Sequence, residues 1–171
     1  MTLFSPKTSR KLNFTSIIAT FCLLIGIFSQ TGCSKSESNN GGCALPDASS
    51  LTEDQQILNY CTTNKINYTK DSRGFYYQII KQGNANRPNL SSSISITYTG
   101  TFLNKNSFDS GSSTFALNDL ITGWKYGLPL IGEGGEIILL LPSSLGYGVN
   151  GGGCIPPNTP LFFNVKLSTV K

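Results

Sequence analysis

Gly146, Gly148 and Gly151 form a G-x-G-x-x-G arrangement directly after the apolar run Ile137–Leu141. In that order a strand feeds a dinucleotide-binding turn, and such a turn must open a helix whose N-terminus holds the pyrophosphate. Here Gly152, Gly153 and the pair Pro156-Pro157 come next, and no helix starts from that composition. The acidic residue expected about 20 positions further on for a ribose hydroxyl is also missing, because no Asp or Glu occurs after Glu136. The glycines therefore serve a loop rather than a phosphate.

Other reactive arrangements fail on composition. The chain has no histidine, which removes Ser-His and Cys-His catalysis and the common zinc ligand sets. It has no C-x-x-C pair either, so neither a metal nor any other cofactor is expected. Asp109, Asp119, Glu133 and Glu136 offer carboxylates for a glycosidase-like pair, but beside turns and glycines they read as solvated groups. Asp109 stands apart because it follows Phe108 in a Ser/Gly neighbourhood.

What remains is a set of large apolar side chains near loops: Tyr98, Phe108, Trp124, Tyr147, Ile155 and Phe163. Trp124 and Phe163 taken alone read as core. Tyr147 lies inside a glycine-rich loop with little local packing, and Ile155 sits between a Gly-Gly-Gly-Cys run and a stiff Pro-Pro. A loop pinned in this way, bearing a tyrosine and an isoleucine, suits the rim of an apolar pocket.

The elements that must position these residues follow from periodicity. "SSLTEDQQILNYCTTNKI" has a start signal at Thr52 and predicts a helix from Thr52 to Asn64. After Gly74 the period becomes that of strands. "GFYYQIIKQG", "SISITYTGTF", "SFDS", "GEIILLLP" and "LFFNVKLSTV" are the strand candidates. "NDLITGWKYGLPLIG" is the only other helical segment, with Asn118 or Asp119 as candidate caps and Pro129 limiting its length. Antiparallel alternation with one short helix predicts an α+β domain whose sheet packs one face on that helix.

The first third of the chain reads differently. Lys7, Arg10 and Lys11 precede an apolar run over Ile17–Phe28, followed by "SQTGC", the layout of a secretory signal. Gly32-Cys33 is similar to a bacterial lipobox, which marks Cys33 for lipidation, although Gln30 stands where an aliphatic is usual. Residues 1–32 are thus expected to be a signal, 33–50 a flexible tether and 51–171 the folded domain, beginning with the helix at 51–66. Of thirteen Lys and Arg, three lie in the signal, so ten face nine acidic residues in the remainder, a net +1. That balance leaves no basic stripe for nucleic acid. Cys43, Cys61 and Cys154 stay with the exported chain, where two can pair and one thiol is left over; the sequence does not say which.

The pieces "YTGTF", "FDS", "LITGW", "GEIILLLPSSLGYG" and "IPPNTPLFFNVKL", in that order over about Ser91–Val170, resemble the FKBP-type peptidyl-prolyl cis-trans isomerases. The segment ahead of them is similar to the additions found in bacterial lipoprotein members. The resemblance implies an antiparallel sheet wrapped around one short helix, and a prolyl pocket. Catalytic roles would fall on Tyr98, Phe108, Asp109, Ile121, Trp124, Tyr147 and Phe163, with Leu120 and Ile155 binding substrate. It also implies proline-containing polypeptides as substrates, macrolides as inhibitors, and folding of exported proteins at a cell-envelope membrane, reached through a lipid anchor. A non-catalytic proline-peptide binding module or chaperone is the alternative. Ser113 stands where an aromatic often lines the pocket, Cys154 replaces an aliphatic or small residue, and Pro129 interrupts the usual helix.

Overall fold

The computed structural model describes residues 45, 46 and 48–171; the signal, Cys33, Cys43 and the start of the tether lie outside the described residues. Two helices, α1 (Glu53–Thr63) and α2 (Thr122–Gly127), accompany six strands. These are β1 (Thr69–Lys70), β2 (Tyr76–Lys81), β3 (Ser93–Phe102), β4 (Ser107–Ala116), β5 (Glu136–Leu141) and β6 (Leu161–Val170). All pairings are antiparallel, in the order β1-β2-β5-β6-β3-β4. Among the described helices none is long and apolar enough to cross a membrane.

One sheet face packs on α2. Ile94 and Ile96 of β3, Ile137, Leu139 and Leu141 of β5, and Phe163, Val165 and Leu167 of β6 close around Trp124 and Leu128. This is the period-two alternation read from the sequence. The outward side of β3 and β4 is a ladder of hydroxyls: Ser95 faces Thr114 at 2.8 Å and Thr97 faces Ser112 at 3.0 Å.

The other face is covered as well. Ile57 and Cys61 of α1 pack on Tyr76 and Leu140, making a second, smaller core. This explains why β5 reads as an unbroken apolar run: Leu139 and Leu140 are both fully buried, on opposite faces. Phe75 and Tyr76 divide in the same way.

α1 begins as its sequence predicts. Thr52 and Gln55 form a reciprocal capping box, and Asn64 is the C-cap. Two carboxylates of the first turn then fasten the helix to the sheet. Asp54 accepts from Lys70 Nζ at 2.8 Å and from the Tyr76 hydroxyl; Glu53 accepts from Ser143. The hairpin β1–β2, missed in the sequence, turns at Asp71–Gly74, where Gly74 has φ +98°.

α2 departs from one expectation. Its N-cap is Ile121, with no side-chain cap bond, and Asn118 and Asp119 lie in a separate 3₁₀ turn over Leu117–Asp119. The chain runs extended through Leu120 and Ile121 between the two, so neither polar residue reaches the helix start. Pro129 falls in a 3₁₀ turn, Leu128–Leu130, that follows α2 directly.

Candidate active site

Two glycines set α2 on the sheet. A Cβ at Gly123 would lie 2.5 Å from Leu141 Cδ1, and one at Gly127 would lie 2.5 Å from Leu139 Cδ2. Four positions apart, they share a helix face and let the backbone settle on β5, with Trp124 directed into the core. The indole is 4% exposed. Tyr98 meets it edge-on at 5.2 Å and 77°, and Phe163 at 5.1 Å and 81°, the favourable edge-to-face geometry. Its Nε1 has no hydrogen-bond partner among the described residues.

A third glycine makes room across β3. A Cβ at Gly100 would stand 2.6 Å from Phe108 Cζ and 2.9 Å from Phe163 Cε1. The Phe108 and Phe163 rings cross over it at 5.5 Å and 87°. Sequence reasoning did not single out Gly100; the signal was its place in "YTG", one strand repeat beyond Tyr98.

Phe108 and Asp109 are consecutive, yet both turn to the core face. Gly100 pairs with Asp109 and Thr101 with Ser107, so Phe108 is the extra residue of a β-bulge. A bulge re-aims a side chain that strict alternation would send to the opposite face. Phe108 thus packs against Phe102 at 5.1 Å, while Asp109 Oδ2 accepts a 2.7 Å bond from the Tyr98 hydroxyl. Burial, then that bond and the Asp109 charge, push the Tyr98 phenol up to about 12. The Tyr147 phenol is also raised, by burial first and Asp109 second.

These residues enclose a cavity of about 190 Å³, lined by Tyr98, Asp109, Phe115, Leu120, Ile121, Trp124, Tyr147 and Phe163. Phe108 and Ile155 lie behind this wall rather than in it: Phe108 supports Phe163, and Ile155 is buried in the main core at 6% exposure. Phe115 lines the cavity although no role was expected for it; β4 runs on through Ala116, beyond the short "SFDS" strand, and delivers it. Ser113 is exposed on the same strand. Tyr147 stands at the rim, 38% exposed. The glycine loop folds back beneath it, since a Cβ at Gly152 would be 2.7 Å from Tyr147 Cδ1, and Gly152 bridges to Ile155. The Ile121 amide donates to no carbonyl among the described residues, while its own carbonyl receives Trp124 and Lys125.

Cys154 Sγ lies 4.0 Å from the Phe108 carbonyl oxygen, and Cys154 is disulfide-bonded. Among the described residues Cys61 is a free thiol, on the buried face of α1. A larger groove of about 410 Å³, between α1 and the β3–β4 turn, contains none of the residues expected to act.

Residues 84–168 match the family described as FKBP-type peptidyl-prolyl cis-trans isomerase. The chain is 37% identical over 103 residues to an FKBP-type peptidyl-prolyl cis-trans isomerase FkpA of Aeromonas hydrophila, covering 57% of this chain and 38% of that protein. It is 35% identical over 104 residues to the outer membrane protein MIP of Legionella longbeachae, covering 57% and 45%. The crystal structure of FkpA from Escherichia coli superposes with a TM-score of 0.65 at 32% identity, over 70% of this chain and 59% of that one. The chain thus spans less than half the length of these two curated relatives.

Proposed function

We propose, from the match of residues 84–168 to the FKBP-type peptidyl-prolyl cis-trans isomerase family, that this protein accelerates rotation about X-Pro bonds in exported polypeptides. The observation that carries the reading is the aromatic-floored cavity around Trp124, open at Tyr147 and of a size to take a prolyl ring.

X-Pro rotation breaks no bond, which fits a site without histidine or an activated nucleophile. Uncatalysed, the rotation takes roughly tens to hundreds of seconds against an activation energy of about 20 kcal/mol. The planar amide is more polar than its twisted transition state. An apolar enclosure therefore disfavours the ground state relative to the twisted form. Trp124, Phe163 and Tyr98 hold the ring, backed by Phe108 and Ile155. The free Ile121 amide and the Tyr147 hydroxyl bond the flanking carbonyls and fix the chain. Asp109 orients Tyr98 and transfers no proton. A rate gain of about 10⁶ asks for roughly 8 kcal/mol, which desolvation and orientation together supply without covalent chemistry.

We further infer that Cys33 is lipidated and that the domain works at a cell-envelope membrane. "TGC" after an apolar run and ahead of a polar tract supports this, as does similarity to a protein named for the outer membrane. An isomerisation assay on proline peptides, varying the residue before proline, tests the activity. A rate equal to the buffer blank rejects it.

A further inference from the structure

Helix α1 lies outside the residues that match the family, yet its first turn reaches the loop that carries Tyr147. The Glu53 carboxylate spans Ser143 with both oxygens: Oε2 accepts the backbone N–H at 2.5 Å and Oε1 accepts the hydroxyl at 2.7 Å. Ser143 is 6% exposed, so water is a poor substitute for either bond. It directly follows β5 and Pro142, and it opens the 3₁₀ turn Ser143–Leu145. That turn is short and otherwise closed by two backbone bonds, Leu145 N to Pro142 O and Gly146 N to Ser143 O. Gly146 and Tyr147 come next, and beyond them the backbone is glycine-rich, with Gly148, Gly151 and Gly153 all at positive φ. Further along, the loop is tied by the Gly152–Ile155 bridge and by Asn158 N to Gly148 O, while the side-chain anchor at its first residue comes from 90 positions upstream.

We propose that Glu53 is a positioning residue for the prolyl pocket: by clamping Ser143 it fixes the start of the loop and thereby the place of the Tyr147 hydroxyl. The inference rests on the isomerase reading above for its effect on rate, but the clamp itself is a property of the fold. It gives the added helix a purpose in the site on the opposite face of the sheet.

The test uses the full chain with Glu53→Asp, Glu53→Gln and Glu53→Ala. Asp keeps the negative charge in the first helical turn but is one methylene too short for both bonds. Gln keeps the reach, with Oε1 accepting the N–H and Nε2 donating to the hydroxyl oxygen. Amide hydrogen exchange over residues 144–153 is read first, because it needs no substrate. Glu53→Asp and Glu53→Ala are expected to speed exchange there by about tenfold or more, with β3 and β6 unchanged and Glu53→Gln close to the parent. In the isomerase assay, Glu53→Asp is expected to lower kcat/KM about tenfold in the parent and less than about twofold in a Tyr147→Phe background, since the two changes act on one contact. Unchanged loop exchange in Glu53→Asp overturns the clamp. Faster loop exchange with an equal kcat/KM loss in both backgrounds overturns the link to Tyr147. An inactive parent enzyme with a loosened loop in the variants sinks the isomerase reading and leaves the clamp standing.

Discussion

The Tyr98 hydroxyl donates to Asp109 Oδ2 at 2.7 Å across β3 and β4. The two are diagonal neighbours, since Tyr98 pairs with Gly111 and Asp109 with Gly100. With glycine opposite it, the phenol ring leans along the ladder to the carboxylate, and the same ring then meets Trp124 edge-on. One side chain thus joins the polar wall of the cavity to its apolar floor.

That relationship has a pH signature. The Tyr98 phenol is raised to about 12 by burial and by Asp109, against about 10 for an ordinary tyrosine. Its contribution to stability is fully present below about pH 10 and is lost as pH rises through about 12. A spectrophotometric phenolate titration is expected to show a late-titrating tyrosine that Tyr98→Phe removes. A Tyr98→Phe variant with an unchanged high-pH limb contradicts the assignment.

Trp124→Ala opens the pocket floor. Removing a buried indole is expected to cost about 3–5 kcal/mol of stability, so activity is measured well below the melting temperature. There kcat/KM is expected to fall by at least about tenfold, equivalent to roughly 1.4 kcal/mol of transition-state stabilisation. Retained prevention of aggregation by this variant, with a parent no faster than the blank, favours a non-catalytic binding module.

Gly100→Ala tests the crossing of Phe108 and Phe163. The added methyl meets ring carbons at 2.6 and 2.9 Å, and rings can swing where backbone cannot. The expected stability loss is about 1–3 kcal/mol, with a larger relative loss of isomerase activity because Phe163 is pushed into the cavity. A variant that is destabilised but fully active per folded molecule argues against Phe163 as a pocket wall.

The cysteines differ in chemistry. Cys154 is expected to label with iodoacetamide only after reduction, because it is disulfide-bonded. Cys61 is expected to label once the protein is denatured, without reductant; in the native state, burial both shields its thiol and raises it above the usual range. Peptide mapping of the two states reads both. Labelling of Cys154 in the denatured, unreduced protein would count against the bridge.

Anchoring is tested separately from folding. Cys33→Ala is expected to move the protein from the membrane fraction to the soluble fraction. Continued membrane association rules out lipidation of Cys33 as the anchor.

The strands were legible where one face is buried and the other wet. "SISITYTGTF" became β3 residue for residue, and "LFFNVKLSTV" became β6. The start of α1 at Thr52 was legible too, because a cap acts within one turn; the structure adds the reciprocal bond with Gln55. The length of β4 was not: "SGSST" is polar and exposed, and it is a strand because its hydroxyls and backbone pair with β3. That Cys61 keeps a free thiol was unreadable for a similar reason, since it is set apart by its place on the buried face of α1 and not by its spacing.

By itself the sequence determined the chemistry available: no histidine, a surplus of aromatics, glycines that cannot cradle a phosphate, and strand periods that demand one antiparallel sheet. These follow from residue type and local period, which need no knowledge of distant neighbours. Tertiary structure decided which aromatics line the cavity and which stand behind it. It placed Phe108 in a bulge, brought Phe115 to the wall, let three glycines set how closely rings and helix approach, and laid Glu53 against Ser143. Each of those outcomes depends on contacts between residues far apart in the chain, and a linear pattern carries no measure of that distance.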